Sequence, residues 1–325
     1  MKLTLKIVLV AICVFLSSAI ISPQSKKVVE TSNAALRYWI AFAELQDMPA
    51  DRPTQELLEK TAAGETPWDE SKLAPIVERN EEAILAMQRA TRLPECDWGL
   101  EYSRGPRASI APAVKARIMA RLNTLYGMRL AAKGETQQAV DTWLAGIRFS
   151  QHMAKGGSLI FALIAKMGLV SNLDALQRAA ESGKLSAAQR SQAAAAVRAL
   201  PETGFDWGTA LSFEEASLEI SVGEMQKNPS QYFQEMMGKA APAGFNAPSA
   251  SEIVQYEKFI ASAETAFRKP PAQTSNALTS MQDYLKTMHP FFREATPSFE
   301  RINSARVELQ SAREAALHVL EAPQK

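Results

Sequence analysis

The stretch from residue 108 through the helix that starts at Ser186 constrains the fold more than any other. It reads as four helices in succession, with only short breaks between them. The first pattern covers 108–133 and tolerates Pro112 in its opening turn. It ends at AAKGE, where Gly134 suits a left-handed helix end. TQQAVDTWLAGIRFSQHMAK forms the second and is closed by Gly156-Gly157. The third, SLIFALIAKMGLVSNLDALQRAAES, is apolar almost all round in its first half, so that half is expected to be buried on most sides. The fourth begins at Ser186, with Gln189 placed three residues on for a capping box. Helices joined this tightly must pack against their neighbours as antiparallel hairpins.

The rest of the chain follows the same period. In NAALRYWIAFAELQDMP, Ala35, Trp39, Phe42 and Leu45 recur at helical spacing, and Pro49 stops the run. A short helix is expected over Thr54–Ala63. A longer one is expected through IVERNEEAILAMQRATR, with Ile76, Ile84, Met87 and Ala90 on one side. Residues 206–227 form another helix, broken at Asn228-Pro229. AAPAGFNAPS, 240–249, reads as a linker between a main domain at 26–239 and a C-terminal segment at 250–325. In that segment Ser249 and Glu252 offer a second capping box, Pro270-Pro271 separates two helices, and Ser298–Glu321 forms the last one. Alternating strand patterns are lacking, and Ala is abundant. The expected class is all-α, a multi-helix bundle or a short irregular array of helical hairpins.

Five small or aromatic residues are spaced in a recognisable way around the first turn: Gly127, Gly134, Ala139, Trp143 and Gly146. The segment 123–154, within a hairpin at about 116–155, resembles one tetratricopeptide helix pair. Small residues let two helices approach, and the aromatic fills the gap between them. The resemblance covers a single unit, whereas a solenoid needs about three. What it implies is a packed helical hairpin with a concave face.

The N-terminus carries a second readable signal. Lys2 and Lys6 precede the ten-residue apolar run Ile7–Leu16, and SSAIISPQSKK follows. This is the pattern of an export signal over 1–22, with Ser17 and Ala19 as the small residues of a cleavage site. The alternative is an uncleaved membrane anchor. Residues 7–22 give only 16 mostly apolar positions, against the roughly 20 that span a bilayer core. Either outcome places the body outside the cytoplasm, in the periplasm, on the membrane or in the medium. Cleavage leaves Cys96 as the sole cysteine, which is expected to be buried as a small hydrophobe.

One tripeptide occurs twice. LPECDWGLEYS and LPETGFDWGTALS place Asp97-Trp98-Gly99 and Asp206-Trp207-Gly208 after matching Leu-Pro-Glu stretches. The expected role is architectural: Asp caps a helix start, Trp anchors, and Gly admits a close backbone. A charge contrast follows the two copies. Tyr102–Gly134 holds seven cationic and no acidic residues, including Arg117, Arg121 and Arg129. Ala199–Gln226 holds six acidic and no cationic ones. The two following helices either present independent solvated faces, the commoner case for surface charge, or pair or share a groove.

Chemistry is sparse. Glu81-Glu82 and Glu214-Glu215 point in different directions on a helix and make no acid–base pair by themselves. Glu314 and His318 share a face but lack a third metal ligand. The Met236-Met237 pair lacks the thiolate or imidazole of a soft-metal site. No Gly-rich phosphate loop, nucleophile elbow or zinc-protease motif is present. No cofactor, metal or nucleic acid is expected, and the net charge is +1. The leading expectation is an exported, non-catalytic helical scaffold or binding protein. It would take a protein segment, or an anionic glycan or lipid, through Arg117, Arg121, Arg129, Trp143 and His152. The others are an envelope component anchored through its N-terminus, and an enzyme using carboxylates near His152.

Overall fold

The computed structural model describes residues 31–241 and 244–323. The predicted signal segment, with Ser17, Ala19 and Cys13, lies outside these residues. Among those described the chain is all-α, with 14 helices and no strand. In chain order they are α1 Ala34–Ala43, α2 Arg52–Ala62, α3 Glu70–Arg79, α4 Glu81–Ala90, α5 Ala111–Ala132, α6 Thr136–Ala154 and α7 Leu159–Glu181. After them come α8 Ala187–Arg198, α9 Gly208–Lys227, α10 Pro229–Met237, α11 Ala250–Phe267, α12 Pro271–Leu285, α13 Pro290–Ala295 and α14 Phe299–Glu321. A 3-10 turn, Tyr102–Arg107, precedes α5. Asn33–Lys325 form one compact unit.

The centre is the layer α5–α6–α7, and its register is set by small residues. A Cβ on Gly127 of α5 would stand 2.3 Å from Trp143 Nε1 of α6, so the indole lies directly on the bare backbone. One turn along, Gly146 of α6 admits the amides of Asn123 (α5) and Asn172 (α7) to the same spot. Another turn along, Gly168 of α7 meets Ser150 of α6 and Ala120 of α5. Positions 123 and 120 of α5 therefore stand level with 172 and 168 of α7. The two helices run parallel, with α6 antiparallel to both. The hairpin expected from the tetratricopeptide-like spacing is present as this one unit, and Gly134 takes its left-handed turn at φ +82°. Helices α1–α4 pack beside α5 and α6, while α14 returns across α7 and α8.

Most helix ends follow from local chemistry. Ser186 and Gln189, and Ser249 and Glu252, form the two capping boxes expected. Ser298 caps α14. The single helix expected through IVERNEEAILAMQRATR is instead two, α3 and α4, broken at Asn80. The buried Asn80 side chain donates to Ile76 O at 2.9 Å and accepts from Gln46 N at 2.9 Å. A short amide that can satisfy backbone groups elsewhere competes with helix continuation. The apolar stripe Ile76, Ile84, Met87 and Ala90 is buried across the break.

Two apolar helices do not fit their expected burial. In α1 the buried face is Ala34, Tyr38, Ala41 and Phe42, and Trp39 lies on the opposite side. In α7 the first half is not enclosed: Ile160, Leu163 and Met167 are exposed. Helix α7 is long and apolar enough to cross a membrane by length and composition, but 56% of its most apolar window is buried inside the fold.

Candidate functional site

The bare side of α7 begins at its N-terminus. Ile160, Leu163 and Met167 stand at i, i+3 and i+7, which puts them on one face. The register of α5 against α7 brings Ile110 and Val114 alongside them. All five are between 38% and 49% exposed. The scattered exposed side chains Val254, Tyr284 and Val307 need no such explanation, because single surface hydrophobes are ordinary. By this register four of them stand on adjoining faces of α5 and α7, with Ile110 at the N-cap of α5, and together they form an apolar surface strip, or trough. From Ile110 to Arg121 it runs about 17 Å at 1.5 Å per residue.

The trough closes at its far end in a cavity of about 360 Å³. Glu59, Ala62 and Ala63 of α2, Arg117, Ala120 and Arg121 of α5, and Met167, Gly168 and Ser171 of α7 line it. Arg121 is held in place: it donates to Glu59 Oε1 at 2.7 Å and to Gln55 Oε1 at 3.2 Å. Arg117, one turn earlier, is exposed and has no hydrogen-bond or ion-pair partner among the described residues. Two cations against one carboxylate leave this end of the trough positive. In two other hollows a cation already has an acidic partner. The one at Glu202–Asp206 and Arg268–Pro270, about 390 Å³, has Arg268 close to Asp206 and Glu264. The one at α8 and the end of α14, about 520 Å³, has Arg198 paired with Glu321 at 2.5 Å.

Of the residues expected to bind, Arg117 and Arg121 come together here and the other three do not. Arg129 is buried, held between Glu70 at 3.1 Å and Glu78, so its charge ties α5 to α3. Trp143 is interior, with Nε1 donating to Thr124 O at 3.2 Å. His152 is also interior. Its Nδ1 and Tyr38 Oη share a hydrogen bond of 2.7 Å, and its backbone carbonyl accepts from Trp98 Nε1 at 2.9 Å. No carboxylate joins it, so the convergence required by the enzyme reading is not at this residue. Among the described residues no group of three or more His, Cys, Asp and Glu is placed to share a metal ion.

Burial, followed by the charges of Lys155 and Arg148, pushes the His152 imidazole down to about 4. The folded state therefore binds the proton less well than the unfolded chain, whose imidazole titrates near 6.5. This contribution to stability is complete above that value and is lost as pH falls toward 4. We predict that urea midpoints decline over this window. His152→Gln should flatten that decline relative to wild type.

The repeated Asp-Trp-Gly proves to be a shared turn in two different settings. Asp97 Oδ1 accepts from Gly99 N at 2.9 Å, and Asp206 Oδ1 accepts from Gly208 N at 2.8 Å. Asp206 also takes the Thr209 hydroxyl and so covers the start of α9, which begins at Gly208 rather than at 206. The surroundings differ. Trp98 stacks on Tyr38 and Phe42 and meets Phe161, whereas Trp207 stacks on Phe205 and donates to Thr203 O. A matched turn with unmatched neighbours is a local solution, not the mark of duplicated halves. Only Gly99 has a positive φ, +60°; Gly208 is helical. Cys96, just before the first copy, is partly buried, and burial pushes its thiol up to about 12.

Pairing between the two charged blocks takes another form. Helix α9 packs on the 3-10 turn Tyr102–Arg107, where Arg107 meets Glu224 at 2.5 Å and Glu235 at 2.7 Å. The arginines of α5 turn instead to α2, α3 and the trough. Their acidic partners, Glu59 on α2 and Glu70 and Glu78 on α3, lie outside both charge blocks. No protein-family model, curated protein or solved structure matches the chain.

Proposed function

We propose that this chain is an exported helical binding protein that holds an apolar protein segment, acidic at one end, in the trough between α5 and α7. One observation carries the reading: a bare apolar strip ends at an unpaired Arg117. An amphipathic helix laid in such a groove buries its apolar side chains and places a carboxylate against the guanidinium. About eleven residues of helix match the trough's length at 1.5 Å each. Export is the reading of the N-terminal signal pattern, and no catalytic role is assigned.

The test is retention of envelope polypeptides by the immobilised chain. Leu163→Asp puts a charge into the apolar wall and should abolish specific retention at any salt concentration. Arg117→Glu should weaken retention at least tenfold at low salt and much less at high salt, where exposed charges are screened. Equal retention by wild type and Leu163→Asp would overturn the reading. A second reading, a structural envelope component anchored by its N-terminus, is favoured by the bare outer face of α1.

A further inference from the structure

We infer that the outer face of α1 lies on an anionic bilayer surface, next to an N-terminal segment that remains attached. Leu36, Trp39 and Ile40 are 54%, 40% and 51% exposed and stand at i, i+3 and i+4, on one face of α1. The opposite face, Tyr38, Ala41 and Phe42, is buried in the core. The helix is therefore apolar on both sides while lying at the surface of the fold. A helix of that composition is normally enclosed, so something covers the outer face.

The sequence on the N-terminal side says what it is. The apolar run Ile7–Leu16 extends in mostly apolar character to Ser22, and only residues 23–33 separate it from Ala34. Eleven residues span at most about 40 Å even when fully extended. Wherever that run enters a bilayer, α1 is held within reach of the same membrane surface. The chemistry of the intervening residues agrees with a headgroup layer. Lys26 and Lys27 lie on the tether. Trp favours the membrane–water boundary, and basic residues there are drawn to anionic lipid. A helix of this kind lies in the plane of the interface with its apolar side inward. The inference rests on the anchored reading of the N-terminus and adds a second point of contact, which fixes how the body is presented to the membrane.

The experiment uses the full chain with Cys13→Ala and Cys96→Ser, spin-labelled at Ile40→Cys. It is incorporated into vesicles of equal parts phosphatidylethanolamine and phosphatidylglycerol. Flotation reads attachment, and relaxation of the label by oxygen and by aqueous nickel reads its depth. The chain should float, and the label should be shielded from nickel and accessible to oxygen. A label at Lys184→Cys, which is exposed on the far side of the α7–α8 turn, should remain open to nickel. Leu36→Glu should leave flotation unchanged and return the label at 40 to water. Failure to float overturns the inference through the anchor. Flotation with a nickel-accessible label at 40 overturns it through the face alone. Dipolar broadening between labels at 40 in vesicle-free solution would overturn it in favour of a second copy covering the face.

Discussion

Trp143→Ala lowers the unfolding free energy by about 3–5 kcal/mol, the cost of deleting a large aromatic from a closed core. The ring fills the gap between α5 and α6 where Gly127 lacks a side chain, and its Nε1 satisfies Thr124 O. A domain is stable by only about 5–15 kcal/mol, so this one change removes a large share. The partner glycine makes the test sharper. Gly127→Ala improves helix propensity by about 1 kcal/mol. The new methyl would lie 2.3 Å from the indole nitrogen, so overpacking, about 1–3 kcal/mol, decides the sign. Gly127→Ala should therefore destabilise the native chain and stabilise a Trp143→Leu background. Urea denaturation of the four members of the cycle reads this directly, and additive effects would refute the contact.

The second large effect is expected at Trp98. This side chain joins elements distant in sequence. It stacks with Tyr38 and Phe42 of α1, meets Phe161 of α7, and donates to the carbonyl of His152 near the end of α6. Trp98→Ala should cost about 3–5 kcal/mol by the same cavity argument. Trp98→Phe gives up part of the buried ring area and the indole hydrogen bond to His152 O, which keeps Lys155 N as a donor at 3.3 Å; together about 1–3 kcal/mol. Asp97→Ala loses only the turn hydrogen bond to Gly99 N at an exposed corner, about 1 kcal/mol. The predicted order is Ala at 98, then Phe at 98, then Ala at 97. Equal losses from Asp97→Ala and Trp98→Ala would mean that the turn, and not the anchor, holds this corner.

Much of the architecture was legible because it depends on neighbours in sequence. Ser186, Ser249 and Ser298 announced three helix starts, and Gly134 announced a turn. The spacing from Gly127 to Gly146 announced a hairpin that the structure contains. Asn80 was not legible, since its effect depends on Gln46, which lies far away in sequence. The functional surface was only half legible. Arg117 and Arg121 stood out within an acid-free segment, yet the same argument selected Arg129, whose partners Glu70 and Glu78 sit on another helix. The trough was hidden for a deeper reason. Periodicity gives α1 the stripe Ala35, Trp39, Phe42 and Leu45 and makes the first half of α7 apolar almost all round, and burial is the natural inference. Only the packed structure shows which face its neighbours fail to cover. The places where an apolar pattern and the fold disagree are the two surfaces to which function is assigned here.

The proposed binding surface is the α5–α7 trough. The most direct measurement places a photo-crosslinking p-benzoylphenylalanine at Met167 in the full chain, with the same group at Lys184 as control, and irradiates intact cells. The prediction is a discrete polypeptide adduct at Met167, absent at Lys184, lost in Leu163→Asp and reduced in Arg117→Glu. Adducts of equal pattern at both positions, or adducts to lipid alone at Met167, would contradict it.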